Sequence, residues 1–121
     1  MAAPRVATTL VTGASPGARE QAIAQLLHQN GAFSAVILEG LPDGRPLLEP
    51  SPSLLIERIS PGCLCCTGNL VLRVTLNRLL RRAPERLYIG VADAGHLSQL
   101  RSWLAAAPYD QLLELAPIVH T

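Results

Sequence analysis

Short apolar, β-prone runs alternating with stretches of helical periodicity predict an α/β fold, in which a mostly parallel sheet of about four or five strands lies between two layers of helices. Residues 33–38 form an apolar run broken only by Ser34, as expected of a strand buried on both faces. The connections between successive elements are short, which favours strand–helix–strand crossovers. No internal repeat or linker interrupts the chain, so residues 1–121 read as a single domain.

The first strand spans residues 6–11 and stops at the turn formers Gly13-Ala14-Ser15-Pro16-Gly17. From residue 18 to 29, Ala22, Ile23, Leu26 and Leu27 recur at helical spacing, and Asn30-Gly31 supplies the stop. The second strand is the run 33–38. Residues 40–53, rich in glycine and proline, predict an irregular loop before a third strand at 54–59. Residues 70–83 place Leu72, Leu76, Leu79 and Leu80 on one face and Arg73, Asn77 and Arg81 on another, the clearest amphipathic helix in the chain. A fourth strand follows at 87–91 and a helix at 97–106, and residues 112–119 supply a last helical turn and a final strand. In such sheets ligands sit beyond the carboxyl ends of the strands, where the glycine loop and the segment after the third strand both fall.

Composition excludes several function classes. The formal net charge is +1 and only four residues are aromatic, which leaves neither a field to attract nucleic acid nor a platform for base stacking. The amino-terminal residues carry no signal-peptide pattern, and no apolar run approaches the length of a membrane span, so the expected compartment is the cytoplasm. All ten basic residues are arginine, so mechanisms that demand a lysine are excluded.

All three cysteines, Cys63, Cys65 and Cys66, fall within four residues after the third strand. Clustered thiols cannot staple distant segments, so a disulfide framework is ruled out. A turn that includes Gly62 can aim three thiolates at one point, which suits Zn2+ or another soft or borderline transition metal with a fourth place left open. The competing reading is a set of small apolar residues packed at a buried corner. Between the first strand and first helix, a phosphate-binding loop would read G-x-x-x-x-G-K-[ST]. This chain has Gly13-Ala14-Ser15-Pro16-Gly17-Ala18-Arg19-Glu20, in which the second glycine, the lysine and the magnesium-holding hydroxyl are replaced. Taken alone it is a glycine turn opening a helix, and an acid at position 20 would repel a phosphate.

Taken in order, these motifs resemble the CobW-type family of P-loop GTPases, metal chaperones or metal-insertion proteins whose G-C-x-C-C signature follows the third strand. The signature is complete here as Gly62-Cys63-Leu64-Cys65-Cys66, with Thr67 after it. Val36-Ile37-Leu38-Glu39-Gly40 looks like the family's second strand and its acidic segment, and residues 87–96 are similar to I-E-x-[ST]-G-[LM]-[AG]-[DH]-P. The resemblance implies a truncated P-loop G-domain-like fold, without the second half of the G domain or the family's C-terminal domain.

The resemblance also implies a metal site built from Cys63, Cys65 and Cys66, with Glu39 or His96 as a candidate fourth ligand, and a client metalloprotein as partner. Gly13, Gly17, Ala18 and Arg19 stand where the family cradles a nucleotide. The family's strand-end glutamate falls on Gly90 and a switch glycine on Asp93, and the guanine-specificity motif is absent, which argues against GTP hydrolysis. The alternatives are residual nucleotide binding, with Arg19 in place of lysine, and a ligand-free interaction module. Asp93 reads as a helix cap, and His28 and His120 as surface residues. An incompletely covered sheet predicts a homodimer.

Overall fold

The computed structural model describes residues 5–40, 46–59, 70–92, 95 and 97–121. Strand β1 is Val6–Thr12, helix α1 Pro16–Asn30, β2 Ser34–Glu39, β3 Leu54–Ile59, α2 Leu70–Leu80, β4 Arg86–Val91 and α3 Leu97–Leu104. A 3-10 turn at Tyr109–Gln111 precedes β5, Leu113–Leu115, and β6, Val119–His120. The strands form one sheet in the order β3-β2-β4-β1-β5, with β6 also beside β1, and every strand pair is parallel. The α/β class and parallel sheet expected from the sequence are therefore observed.

The sheet has six strands where four or five were expected, because the final strand is split. Leu113–Leu115 pairs with Val6–Thr8, Val119–His120 pairs with Val11–Thr12, and Pro117 lies between them. Proline has no N–H to donate to a ladder, so pairing stops there and resumes two residues later.

Parallel neighbours need crossovers, and right-handed crossovers decide which face each helix covers. The chain moves from β1 to β2 by way of α1 and returns toward β1 and β5 by way of α2 and α3, so α1 takes one face and the other two helices take the opposite one. Alternate residues sort accordingly. Ala35, Ile37, Leu87, Ile89 and Val91 pack with Leu72, Leu76 and Leu79 of α2 and Leu97, Leu100 and Leu104 of α3. Val36, Leu38 and Tyr88 pack with Ile23 of α1. All six residues of β2 are buried, the apolar stretch 35–38 as its residue types predict and the polar Ser34 and Glu39 at its ends as well. Gly90 fits this packing closely: a Cβ there would meet Leu38 Cδ2 at 3.1 Å and Ile23 Cδ1 at 3.7 Å.

The helix limits follow from local chemistry. Helix α1 begins at Pro16, two residues earlier than its periodicity suggests, because Ser15 is extended (φ −137°, ψ 156°) and its hydroxyl accepts from the Ala18 N–H. Proline at the first helical position has its φ preset and no N–H to leave unpaired. Gly31 closes the helix in the left-handed region (φ 63°), its N–H donating to Leu27 O at 3.3 Å. Helix α2 ends at Leu80 rather than 83, because the Arg82 and Ala83 N–H groups bond three residues back, to Leu79 O and Leu80 O, and Ala83 turns left-handed (φ 55°). Helix α3 ends at Leu104 rather than 106, because the Ala106 N–H bonds three residues back, to Trp103 O at 3.3 Å, instead of continuing the helical ladder.

At the foot of α2 and α3, Tyr109 donates its hydroxyl to Asn77 Oδ1 at 2.9 Å and packs against Trp103 with ring centroids 4.8 Å apart. Burial pushes the Tyr109 phenol above its ordinary pKa, while the Arg73 guanidinium and the Asn77 bond pull the other way. No helix among the described residues is long and apolar enough to cross a membrane.

Two substitutions test the helix stops. Gly31→Ala meets no neighbouring atom, so the left-handed backbone alone should cost about 1 kcal/mol in urea unfolding. Ala83→Gly relieves the same strain at the end of α2 and is expected to stabilise by about 0.5–1 kcal/mol in the same measurement.

Candidate functional site at the carboxyl edge of the sheet

Three buried polar residues, Arg19, Glu20 and Glu39, lie at or near the carboxyl ends of the strands, and each is tied down by a partner within the chain. Arg19, in the first turn of α1, is only 5% exposed and its Nη1 donates to Gly13 O at 2.8 Å. The guanidinium thus folds back on the loop that opens its own helix. The Ala18 N–H donates to Ser15 Oγ at 3.1 Å and the Arg19 N–H to Ser15 O at 3.2 Å. The amides at 18 and 19, which a phosphate loop would turn toward its ligand, here complete a serine-capped helix start.

Gly13 is needed for a close approach. The Thr121 N–H and hydroxyl both reach Thr12 O, at 2.8 and 3.1 Å, and a Cβ on residue 13 would overlap Thr121 Oγ1.

Glu20, 2% exposed, does not stand bare toward the loop. Its Oε1 accepts from Arg58 Nη2 at 2.9 Å, joining α1 to the edge strand β3. The repulsion that an isolated acid would exert is offset by that cation. On the other face of the same strand, Glu57 pairs with Arg78 of α2, also at 2.9 Å.

Glu39 ends β2 and is 5% exposed. Its Oε1 accepts from the Ala92 N–H at 2.8 Å, joining the carboxyl ends of β2 and β4. The register pairs Glu39 with Ile59, the last residue of β3, and the Gly40 N–H reaches Ile59 O at 2.8 Å with φ 91° at the glycine. Glu39 therefore stands level with the point where the chain leaves β3.

Cys63, Cys65 and Cys66 belong to the stretch 60–69 between β3 and α2, which lies outside the described residues, as do Asp93 and His96. Among the described residues no group of three or more histidine, cysteine or acidic side chains is placed to share a metal ion. His28, in the last turn of α1, and His120, in β6, are exposed. Arg58, Ala92 and Thr121 carried no functional signal in the sequence. Arg58 meets Glu20 across 38 positions, a pairing that only the sheet order reveals, and the Ala92 contact is made by a backbone N–H.

No protein-family model matches the chain. No solved structure matches it either. Among curated proteins it is 36% identical over 116 residues to the zinc chaperone YeiR of Escherichia coli (strain K12). The match takes in 89% of this chain but 34% of the relative, so the chain spans about a third of the length of the curated protein it matches. Sequence similarity to a zinc chaperone over most of the chain supports the relationship that the Gly62–Cys66 motif implies.

The pair on β3 gives a test of the edge. Arg58→Met leaves the Glu20 carboxylate buried without its cation. Because Arg58 is itself partly exposed, the expected cost is about 2 kcal/mol, below the range for a wholly buried pair. The double variant Arg58→Met, Glu20→Gln removes the stranded charge and should recover more than half of that loss in urea denaturation.

Proposed function

We propose that this chain handles zinc as cargo, binding the ion through the thiolates of Cys63, Cys65 and Cys66 and passing it to a client protein. The observation that carries this reading is the 36% identity to a zinc chaperone over nine-tenths of the chain, a span long enough to include the three cysteines. Thiolate sulfur suits zinc, and three thiolates leave a fourth place for water or one further side chain. Helix α2 begins at Leu70, four residues after Cys66, and the positive end of its dipole favours the thiolate over the thiol. Glu39 is a candidate fourth ligand because β2 ends level with β3, although one carboxylate oxygen already holds the Ala92 N–H. His96 is the alternative.

GTP hydrolysis is not part of the proposed function. There is no lysine to reach the outer phosphates, Glu20 stands where a magnesium-holding hydroxyl is required, and Arg19 spends its guanidinium on Gly13 O. Arginine carries the charge of the missing lysine but not its compact shape.

Co2+ titration of the reduced protein should produce intense thiolate-to-metal charge-transfer bands that yield to Zn2+ and vanish in the triple variant Cys63→Ser, Cys65→Ser, Cys66→Ser. Absence of bands at saturating Co2+ would leave the thiols as packing residues and remove the zinc reading. In the same assay, weaker Co2+ binding by Glu39→Gln or by His96→Ala identifies the fourth ligand. GTP with Mg2+ is expected to leave the melting temperature unchanged. A rise that grows with GTP concentration, as mass action demands of a ligand bound only by the folded state, would restore nucleotide binding as a function.

A further inference from the structure

We propose that the outer edge of β3 captures an extended acidic polypeptide segment by strand addition, beside Arg78 of α2 and Arg82 in the turn that follows it. This goes beyond the zinc reading and does not depend on it. The hydrogen-bond pattern shows which backbone groups are available. The Ser34 N–H donates to Ser53 O and the Gly40 N–H to Ile59 O, so residues 53, 55, 57 and 59 face β2. In a parallel ladder the alternate residues turn both N–H and C=O the other way, which aims Leu54, Ile56 and Arg58 outward. The outward groups of Leu54 are taken by Ser51, in two bonds of 3.1 Å. Among the described residues those of Ile56 and Arg58 have no partner.

Exposed edges are ordinarily blunted by charges or proline placed over them. The only charges on β3 are Glu57 and Arg58, and each is drawn onto a face of the sheet, Glu57 by Arg78 of α2 and Arg58 by Glu20 of α1. Pro50 and Ser51 cover the edge at Leu54, and among the described residues it is open at Ile56 and Arg58, beside a groove of about 200 Å³ whose lining includes Pro50, Ile56, Glu57, Arg78 and Arg82. Arg82 forms no ion pair among the described residues, so the groove keeps one positive charge beyond the Glu57–Arg78 pair.

That charge selects the occupant. A second copy paired edge to edge would bring its own Arg78 and Arg82 toward the same groove and set like charges together. A segment with alternate acidic side chains would meet Arg82 on the α2 side while its backbone bonds Ile56 and Arg58, the usual division between main-chain affinity and side-chain specificity in strand addition.

The test uses the full chain and a fluorescein-labelled, end-blocked hexapeptide of alternating glutamate and valine, with a lysine–valine hexapeptide as control. Saturable fluorescence anisotropy is expected for the acidic peptide, about tenfold tighter than for the control and weakening as NaCl is raised. Ile56→Pro deletes an outward N–H while leaving the bonds to β2 in place, and should weaken the acidic peptide about tenfold. Arg82→Glu, exposed in the turn after α2, keeps the test decisive if the proline variant fails to fold, and should exchange the preference between the two peptides. No saturable acidic binding, or binding indifferent to both variants, overturns the proposal. So does a concentration-dependent dimer that Ile56→Pro dissolves, which would assign the edge to a second copy.

Discussion

The right-handed crossover between parallel strands is the constraint on which the rest of this structure depends. Strands buried on both faces need helices above and below, and the handedness rule decides which helix goes where. Moving outward from β1 to β2 puts α1 on one face, and moving back across the sheet puts α2 and α3 on the other. All the strands run the same way, so the glycine loop after β1, the end of β2 at Glu39 and the departure from β3 collect at one edge. The candidate site is a consequence of that arrangement before any side chain is considered.

What the side chains do at that edge is largely internal. Arg19 closes the loop at Gly13, Glu20 ties α1 to β3, and Glu39 ties β2 to β4. Each is a buried polar group that would be costly if unpaired; Glu20 and Glu39 find partners beyond their own elements, and Arg19 finds one in the loop before its own helix. Positions that the CobW-type resemblance associates with nucleotide chemistry therefore act as fasteners in this chain. Such fastening is compatible with a metal role for the cysteines, because a ligand-bearing connection needs firmly held elements on either side of it, here β3 and α2.

Much of the fold was legible because its signals are local. The apolar run 33–38, broken only by Ser34, meant a strand covered on both sides, and β3 was bounded at 54–59 as observed. The helix ends were less legible. Ser15 and Pro16 start α1 early through a cap rather than through periodicity, and Pro117 divides a final strand that reads as one from its residue types. At the candidate site the cysteine signature was plain in the sequence, whereas Arg58 was invisible, since an arginine in a strand has no visible partner until α1 is folded against the sheet.

By itself the sequence determined the α/β class, the order of the elements and the concentration of every thiol after β3, because hydrophobic period and residue spacing are properties of a short stretch of chain. The tertiary structure alone decided that Arg19 turns inward, that Glu20 meets Arg58, that Glu39 stands level with Ile59, and that β3 is the strand left at the edge. Those outcomes depend on which elements become neighbours, and crossover handedness and two-sided burial settle that only when the whole sheet has formed.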